Sequence, residues 1–563
     1  MAPCTRHLLI LCLISDICFT AVTATAKGKK VSQHIVATKY GKLQGKLIKL
    51  KSTDQHVKAY FGIPFAKPPI GPLRFSPPQP PEPWKGVRDA TSYPPMCLQT
   101  LDFLELMKEA MQVDFPSLPL SEDCLFLNIY TPAHHSKKSK LPVMMWIHGG
   151  GFVSGGASFF DGSVLSSYEN VVMVSIQYRL GVLGFFSTGD EHAHGNWGLL
   201  DQLAALHWIQ ENIEYFGGDP DSVTIFGESA GGISVSTLIL CPLSKGLFQK
   251  AISESGVASI PSVLLSDPEA IASLANTIAN ISGCKEADSA AMVSCLRKKT
   301  QEEILDPALP KKVPLVPIVV DGIFLQKSPE QFLPGEEGNP VPYLLGVNNH
   351  EFGWILPMFM HFPATKDGID KDELASFLQN FQQSMGKNSD HFSLVTEEYL
   401  GKAENPKQLR DLALEMFGDM SFVVPIVKTA RYHRDSGLPV YLYEFQHRPS
   451  KYGDSRPDFV KADHGDDIGF VFGLTLQSNS TDDEKHLSRT MMTYWANFAR
   501  TGNPNGKGLV EWPIYDEHEH YLELDLKQKR GTKLKDHRMM FWTEILPEKI
   551  KQITKEKENH TEL

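Results

Sequence analysis

Away from its two ends the sequence carries no long basic run, and its 55 lysines and arginines are outnumbered by 66 acidic residues, for a formal net charge of −11. Such a balance offers no footing for a polyanion, and nucleic-acid binding finds no support. Internal repeats and low-complexity tracts are lacking too, which argues against a solenoid or a disordered chain. Beyond the first residues no apolar stretch reaches the ~20 residues that a bilayer-spanning helix needs. Cysteine is scarce, with eight in 563 residues. What remains is an ordinary globular composition, longer than the roughly 250–300 residues that one core usually serves. Either two domains are present or one large sheet carries many insertions.

The two ends read as addresses. Arg6 gives a positive start, Leu8 to Ile14 an apolar segment that Asp16 interrupts, and Ala24-Thr25-Ala26 a small-residue cleavage site. This pattern predicts a secretory signal peptide over 1–26, removed before Lys27. The chain ends His560-Thr561-Glu562-Leu563, close to the K/H-D-E-L retention signal. Together they predict residence in the lumen of the endoplasmic reticulum, held by a retention receptor, with residues 27–559 as one domain. In that oxidising compartment cysteines form a framework. Cys4, Cys12 and Cys18 leave with the signal, and local pairing of the rest favours Cys97–Cys124 and Cys284–Cys295, with Cys241 free and buried. Asn280 and Asn479 stand in glycosylation acceptor triplets. Asn559 also fits the triplet pattern but sits too near the end to favour.

Short apolar runs at 142–147, 171–177, 223–226, 343–347 and 440–445 have the character of buried parallel strands. Between them lie helical patterns. Leu199, Leu203, Leu206, Ile209, Ile213 and Phe216 share one face before Gly217, and Leu487, Met491, Trp495 and Phe498 recur before Gly502. Strands alternating with helices predict an α/β protein with a large, mostly parallel sheet covered on both sides. The proline-rich stretch 65–86 interleaves Phe65, Ile70, Leu73, Phe75 and Trp84, which suits an ordered arm on the core better than a linker. The mostly helical insertion between the 343 and 440 strands is placed to roof a pocket.

The chemistry concentrates in VTIFGESAGGISV, residues 223–235. A strand stops at Gly-x-Ser-x-Gly and a helix follows, which is the nucleophile-elbow pattern with Ser229 at its tip. Serine needs a base, a group to orient that base, and donors for an oxyanion. MMWIHGGGF (144–152) supplies candidate donors at Gly149 and Gly150, and Ala230 follows the serine. The acid and base are expected after later strands in the order acid, then histidine. Glu351 follows the 343 strand, while His447 and His464 both follow the 440 strand, and spacing does not choose between them.

HGGGF, SEDCLFLN (121–128), QYRLGVLGFF (177–186), GNWGLLDQ (195–202), FGGDP (216–220) and GESAGG together resemble the carboxylesterase/cholinesterase family, over essentially the whole mature chain. GIPFAKPPIGPLRF, YWANFARTGNPNG and the terminal HTEL are most similar to its mammalian type-2 carboxylesterases. The resemblance implies an α/β-hydrolase fold with helical insertions over the active site. By motif it implies Ser229 as nucleophile, Glu351 as acid and His464 as base, with Gly149, Gly150 and Ala230 as oxyanion donors, and it matches both disulfide pairs. It implies hydrolysis of small-molecule carboxylic esters with broad specificity, extending to acylglycerols, amides and thioesters. Neither cofactor nor metal is called for. Gly151-Phe152 departs from what close relatives can carry and bears on the acyl pocket. A catalytically silent adhesion protein on the same fold is the rival from another class, but such look-alikes lose the serine that this chain keeps. A dedicated choline-ester hydrolase would want an aromatic gorge, on which the sequence is silent. Arg74 and Glu122 are expected to form an ion pair pinning the proline-rich arm, and Glu228 to orient the elbow. Asp516-Glu517-His518-Glu519-His520 looks metal-like, but a solvated turn accounts for it, since nothing completes a site.

Overall fold

The computed structural model describes residues 34–561 apart from 52, 136–137, 262, 286–287, 306–312, 314, 333–337 and 385–390. The expected signal peptide, 1–26, lies outside the described residues, as do the last two residues of the HTEL tail. Thirteen described strands build the main sheet. In chain order they are β1 (His34–Ala37), β2 (Lys42–Lys49), β3 (His56–Pro64), β4 (Val87–Asp89), β5 (Phe126–Pro132), β6 (Leu141–Ile147), β7 (Val172–Ile176), β8 (Gly218–Glu228), β9 (Lys250–Glu254), β10 (Tyr343–Asn348), β11 (Val440–Phe445), β12 (His520–Leu524) and β13 (Lys529–Thr532). Across the sheet they run β1-β2-β3-β5-β7-β6-β8-β9-β10-β11-β12-β13, with β4 beside β2. From β7 to β12 every neighbour is parallel, and antiparallel strands flank this block on both sides. The five strands expected from sequence are β6, β7, β8, β10 and β11, all inside the parallel block. This is the α/β-hydrolase fold, a large mostly parallel sheet flanked by helices.

β8 is central, with Phe226 level with Trp146 of β6 and Glu228 level with Glu254 of β9. Buried on both faces, its later residues have no need of a polar side, which is why they read as a continuous apolar run. Trp146, Phe226 and Phe472 stack within 4.8–5.9 Å on one face. Helix α1 (Trp197–Asn212) continues as a 3₁₀ turn to Phe216 and stops at Gly217, whose φ of 89° suits glycine. Helix α2 (Ala230–Leu240) follows β8 at once and is buried almost throughout.

The stretch between β10 and β11 is helical as expected, with α3 (Lys371–Ser384), α4 (Phe392–Leu400), α5 (Pro406–Gly418) and α6 (Val424–Asp435). A π-helical turn, Asp419–Val423, joins α5 to α6. This insertion has its own core, in which Phe352, Phe362 and Phe417 pack edge-on and stacked at 5.0–5.6 Å. Helix α7 (Asp482–Thr501) opens on a Thr481–Glu484 capping box and ends at Gly502, φ 77°. Helix α8 (Leu546–Thr561) closes the described chain. Among the described residues no helix is long and apolar enough to cross a membrane.

Cys97 is bonded to Cys124 and Cys284 to Cys295, and Cys241 is buried and free. The proline-rich arm is ordered, and its Arg74 meets Glu122 in a bidentate ion pair, with both side chains buried. Arg74 also donates to the Leu296 and Lys299 carbonyls at 2.9 and 2.7 Å, tying the arm to the helix that carries Cys295.

Candidate active site

Ser229 stands between β8 and α2 with φ 55° and ψ −122°, a strained region for a residue with a side chain. Two backbone bonds over-determine it: its N–H donates to Glu254 O and its carbonyl accepts from Ile233 N–H, both at 2.9 Å. A Cβ at Gly227 or Gly231 would collide with the Ile147 carbonyl of the neighbouring strand, so the flanking glycines are steric necessities of the turn. Ser229 is partly exposed while its neighbours on both sides are buried.

The glycine loop after β6 lies against this elbow. A Cβ at Gly149 would come within 3.1 Å of Ser229 Cβ. Gly150 adopts φ 101°, and its carbonyl accepts from the N–H groups of Val153 and Ser154. Among the described residues no hydrogen bond engages the N–H of Gly149, Gly150 or Ala230. Ala230 is the first residue of α2, where such groups have no partner within the helix. Gly151 also takes positive φ, 60°, and Phe152 turns into the core against Phe185 at 4.9 Å. Phe152 therefore serves packing rather than lining an acyl pocket.

Glu351 and His464 come from loops after β10 and β11, and Asp463 staples the two loops together. Its carboxylate accepts from the N–H groups of Gly353, Trp354 and Ile355 at 2.9–3.1 Å. Next to it, His464 Nδ1 lies 2.7 Å from Glu351 Oε2. The other Glu351 oxygen accepts from Ser255 Oγ at 2.5 Å and from Asn348 N–H at 2.6 Å. The far side of the imidazole, Nε2, lies 3.1 Å from Glu228 Oε1, but neither buried atom is aligned for a hydrogen bond. Since Glu228 directly precedes Ser229, the free nitrogen of His464 faces the elbow. Phe422 packs on the imidazole at 4.6 Å.

The floor of the site is rich in carboxyl groups. Burial pushes Glu228 up to about 8, with Asp467 and Glu351 adding to the rise and the His464 charge opposing it. Burial works against the His464 cation, yet Glu228, Glu351 and Asp463 outweigh it and lift the imidazole to about 9. The two shifts share one interaction: Glu228 raises His464 only when ionised, so the pair titrates together. Confinement beside Glu351 and Asp467 favours a protonated Glu228 at neutral pH, and that removes the strongest upward push on His464. Glu254, which accepts from Trp495 Nε1 at 2.7 Å, is likewise driven upward by burial.

His447, the other histidine after β11, is placed elsewhere. Its Nε2 lies 3.1 Å from Glu484 Oε1, at the start of α7. Asp516 and His520 pair with each other at 2.8 Å, and no group of residues suited to a metal occurs among the described residues. Asn280 and Asn479 are both exposed. Ser255 was not foreseen. It follows β9, a strand whose sequence KAISE begins and ends on charged residues and so lacks the apolar signature that revealed its neighbours.

The profile described as the carboxylesterase family matches residues 32–542. Among curated relatives, the chain is 53% identical to a fatty acyl-CoA hydrolase precursor, medium chain, of Anas platyrhynchos, over 98% of this chain and 99% of that one. It is 50% identical to a cocaine esterase of Homo sapiens, over 95% and 96%, and 51% identical to an acylcarnitine hydrolase of Mus musculus, over 93% of each. With this similarity end to end, the chain belongs to the carboxylesterase family, a family of ester hydrolases.

Proposed function

We propose that the protein is a serine carboxylesterase acting through an acyl-enzyme on Ser229, with His464 as general base and acid and Glu351 holding the imidazole. The observation that carries this reading is the seat of His464, bonded on one nitrogen to Glu351 and open on the other toward the elbow. Ser229 Oγ attacks the ester carbonyl while Nε2 takes its proton, and the N–H groups of Gly149, Gly150 and Ala230 hold the oxyanion. The imidazolium then protonates the departing alcohol, and water activated by the same nitrogen releases the acid. Glu351 stabilises the cation without taking its proton. A protonated Glu228 suits these steps, because it adds no fixed negative charge beside the forming oxyanion.

The substrates are carboxylic esters of broad structure, including xenobiotic and lipid esters, acylglycerols, amides and thioesters. The relatives' names, which span a fatty acyl-CoA hydrolase, an acylcarnitine hydrolase and a cocaine esterase, support that breadth. A fluorophosphonate probe should label purified protein once, at Ser229, and Ser229→Ala should remove both the label and hydrolysis of p-nitrophenyl acetate. Labelling at any other residue, or none, refutes the assignment. The adhesion alternative predicts an unlabelled protein.

The protein is further proposed to reside in the lumen of the endoplasmic reticulum, with Asn280 and Asn479 as carriers of glycan. The exposure of both asparagines and the two disulfides support a secretory route. Deleting residues 560–563 should move the protein from cells to medium, and unchanged retention would overturn the reading of the tail.

A further inference from the structure

A cavity of about 1080 Å³ opens behind α2, on the scale of a site for a drug-sized ligand. Ile239 and Leu240 of α2, Met420 of the π turn, Val424 of α6 and Trp542 give it apolar walls. Its charged lining is less balanced. Arg431 is held by Glu519 through two bonds of 2.8 and 3.1 Å, and Asp435 is taken by Arg434 at 2.7 Å. Lys428, on α6, lines the same cavity half-buried, and among the described residues no hydrogen bond or ion pair reaches its ammonium. The acid acting on it is Glu330, exposed and outside ion-pair range. Burial pushes the Lys428 ammonium below the ordinary lysine range, and Arg431 adds to this.

An unpaired ammonium facing an apolar chamber is a costly arrangement that an incoming anion relieves. We propose that this cavity is a second ligand site, separate from Ser229, that binds a carboxylate-headed amphiphile, with Lys428 taking the carboxylate and the apolar walls taking its chain. A neutral amphiphile would fill the walls and leave the lysine unanswered. A small anion such as acetate would answer the lysine and leave most of the chamber wet.

The site has a physical link to the candidate active site. Met420 faces the cavity, while Phe422, two residues on in the same π turn, packs on His464. The helix that begins at Ser229 also presents Ser236 and Ile239 to the cavity. A ligand seated here therefore touches the elements that hold both the serine and the histidine.

The test is calorimetric titration of the full chain with decanoate, before and after capping Ser229 with a fluorophosphonate. One equivalent is expected to bind in both forms. Lys428→Met should weaken binding about tenfold or more, as loss of a desolvated charge partner does, and Lys428→Arg should retain it. Decanol, with the same chain and no charge, should bind the unaltered protein at least about tenfold more weakly. Equal affinity for decanoate and decanol, or for Lys428→Met and the parent, would overturn the proposal. So would loss of binding on capping, which would place the decanoate at Ser229. If the cap fails to attach, it is the nucleophile assignment that falls, and the decanol and Lys428 arms still decide the cavity.

Discussion

Two glutamates in this molecule each stand 3.1 Å from a histidine Nε2, Glu228 beside His464 and Glu484 beside His447. Both are buried, and burial drives each toward its protonated form. Their outcomes are opposite. Glu484 accepts from the Ser450 N–H and hydroxyl, from Thr481 N–H and from His447, and these donors overcome burial to hold its carboxyl down at about 2. Glu228 has an oxygen with no donor and neighbours that are themselves acids, and it rises to about 8. The difference lies in the number of donors rather than in depth or in the nearness of imidazole. A carboxylate saturated with donors serves as a strut, whereas one short of donors keeps a proton within reach of physiological pH.

The comparison is broken most sharply at the histidines. His464→Ala should lower kcat for an activated ester by roughly 10⁴–10⁶-fold, as loss of a triad histidine does. His447→Ala should leave kcat within about twofold and cost roughly 1 kcal/mol of stability, read by denaturant titration. Comparable losses of activity in the two variants would erase the distinction.

The glutamates sharpen it further. Glu484→Gln should cost about 1–3 kcal/mol at pH 7, the worth of hydrogen bonds to a charged group. Because the folded pKa lies below the unfolded one, that contribution is present above about pH 4.5 and is lost as pH falls toward 2. Glu228→Gln should behave in reverse, and with a smaller effect. The folded pKa of Glu228 lies above its unfolded value, so the parent loses stability as pH rises from about 4.5 through 8. Thermal melts across that window should show the Gln variant gaining on the parent as pH rises. A constant offset between the two would mean that Glu228 is ionised throughout.

Legibility followed the strength of each periodic signal. The strands of the parallel block announced themselves as apolar runs, and α1 and α7 as stripes ending at Gly217 and Gly502. The antiparallel strands β1 to β3 went unread, because a sheet edge with alternating exposure, as in KLQGKLIK, breaks every run after one or two residues. β9 went unread for a different reason: its Lys250 and Glu254 are charged yet buried. In the candidate site, Ser229 and the glycine loop were legible because their backbone demands small residues at fixed spacing. The choice between His447 and His464 was not legible from spacing. It depends on Asp463 binding three N–H groups of the Glu351 loop, and on a capping box that occupies Glu484 beside His447. Those are contacts across more than 30 residues of chain, which no local pattern encodes.

The π turn at Asp419–Val423 carries a geometric obligation. A wider turn amounts to one surplus residue in the winding, so deleting a single residue there would restore ordinary pitch and rotate everything downstream by about 100°. Phe422 would swing off the imidazole and Lys428 out of its chamber in the same stroke. The two chambers are thus phased by one peptide unit, and change of length at this point is far less tolerable than change of side chain.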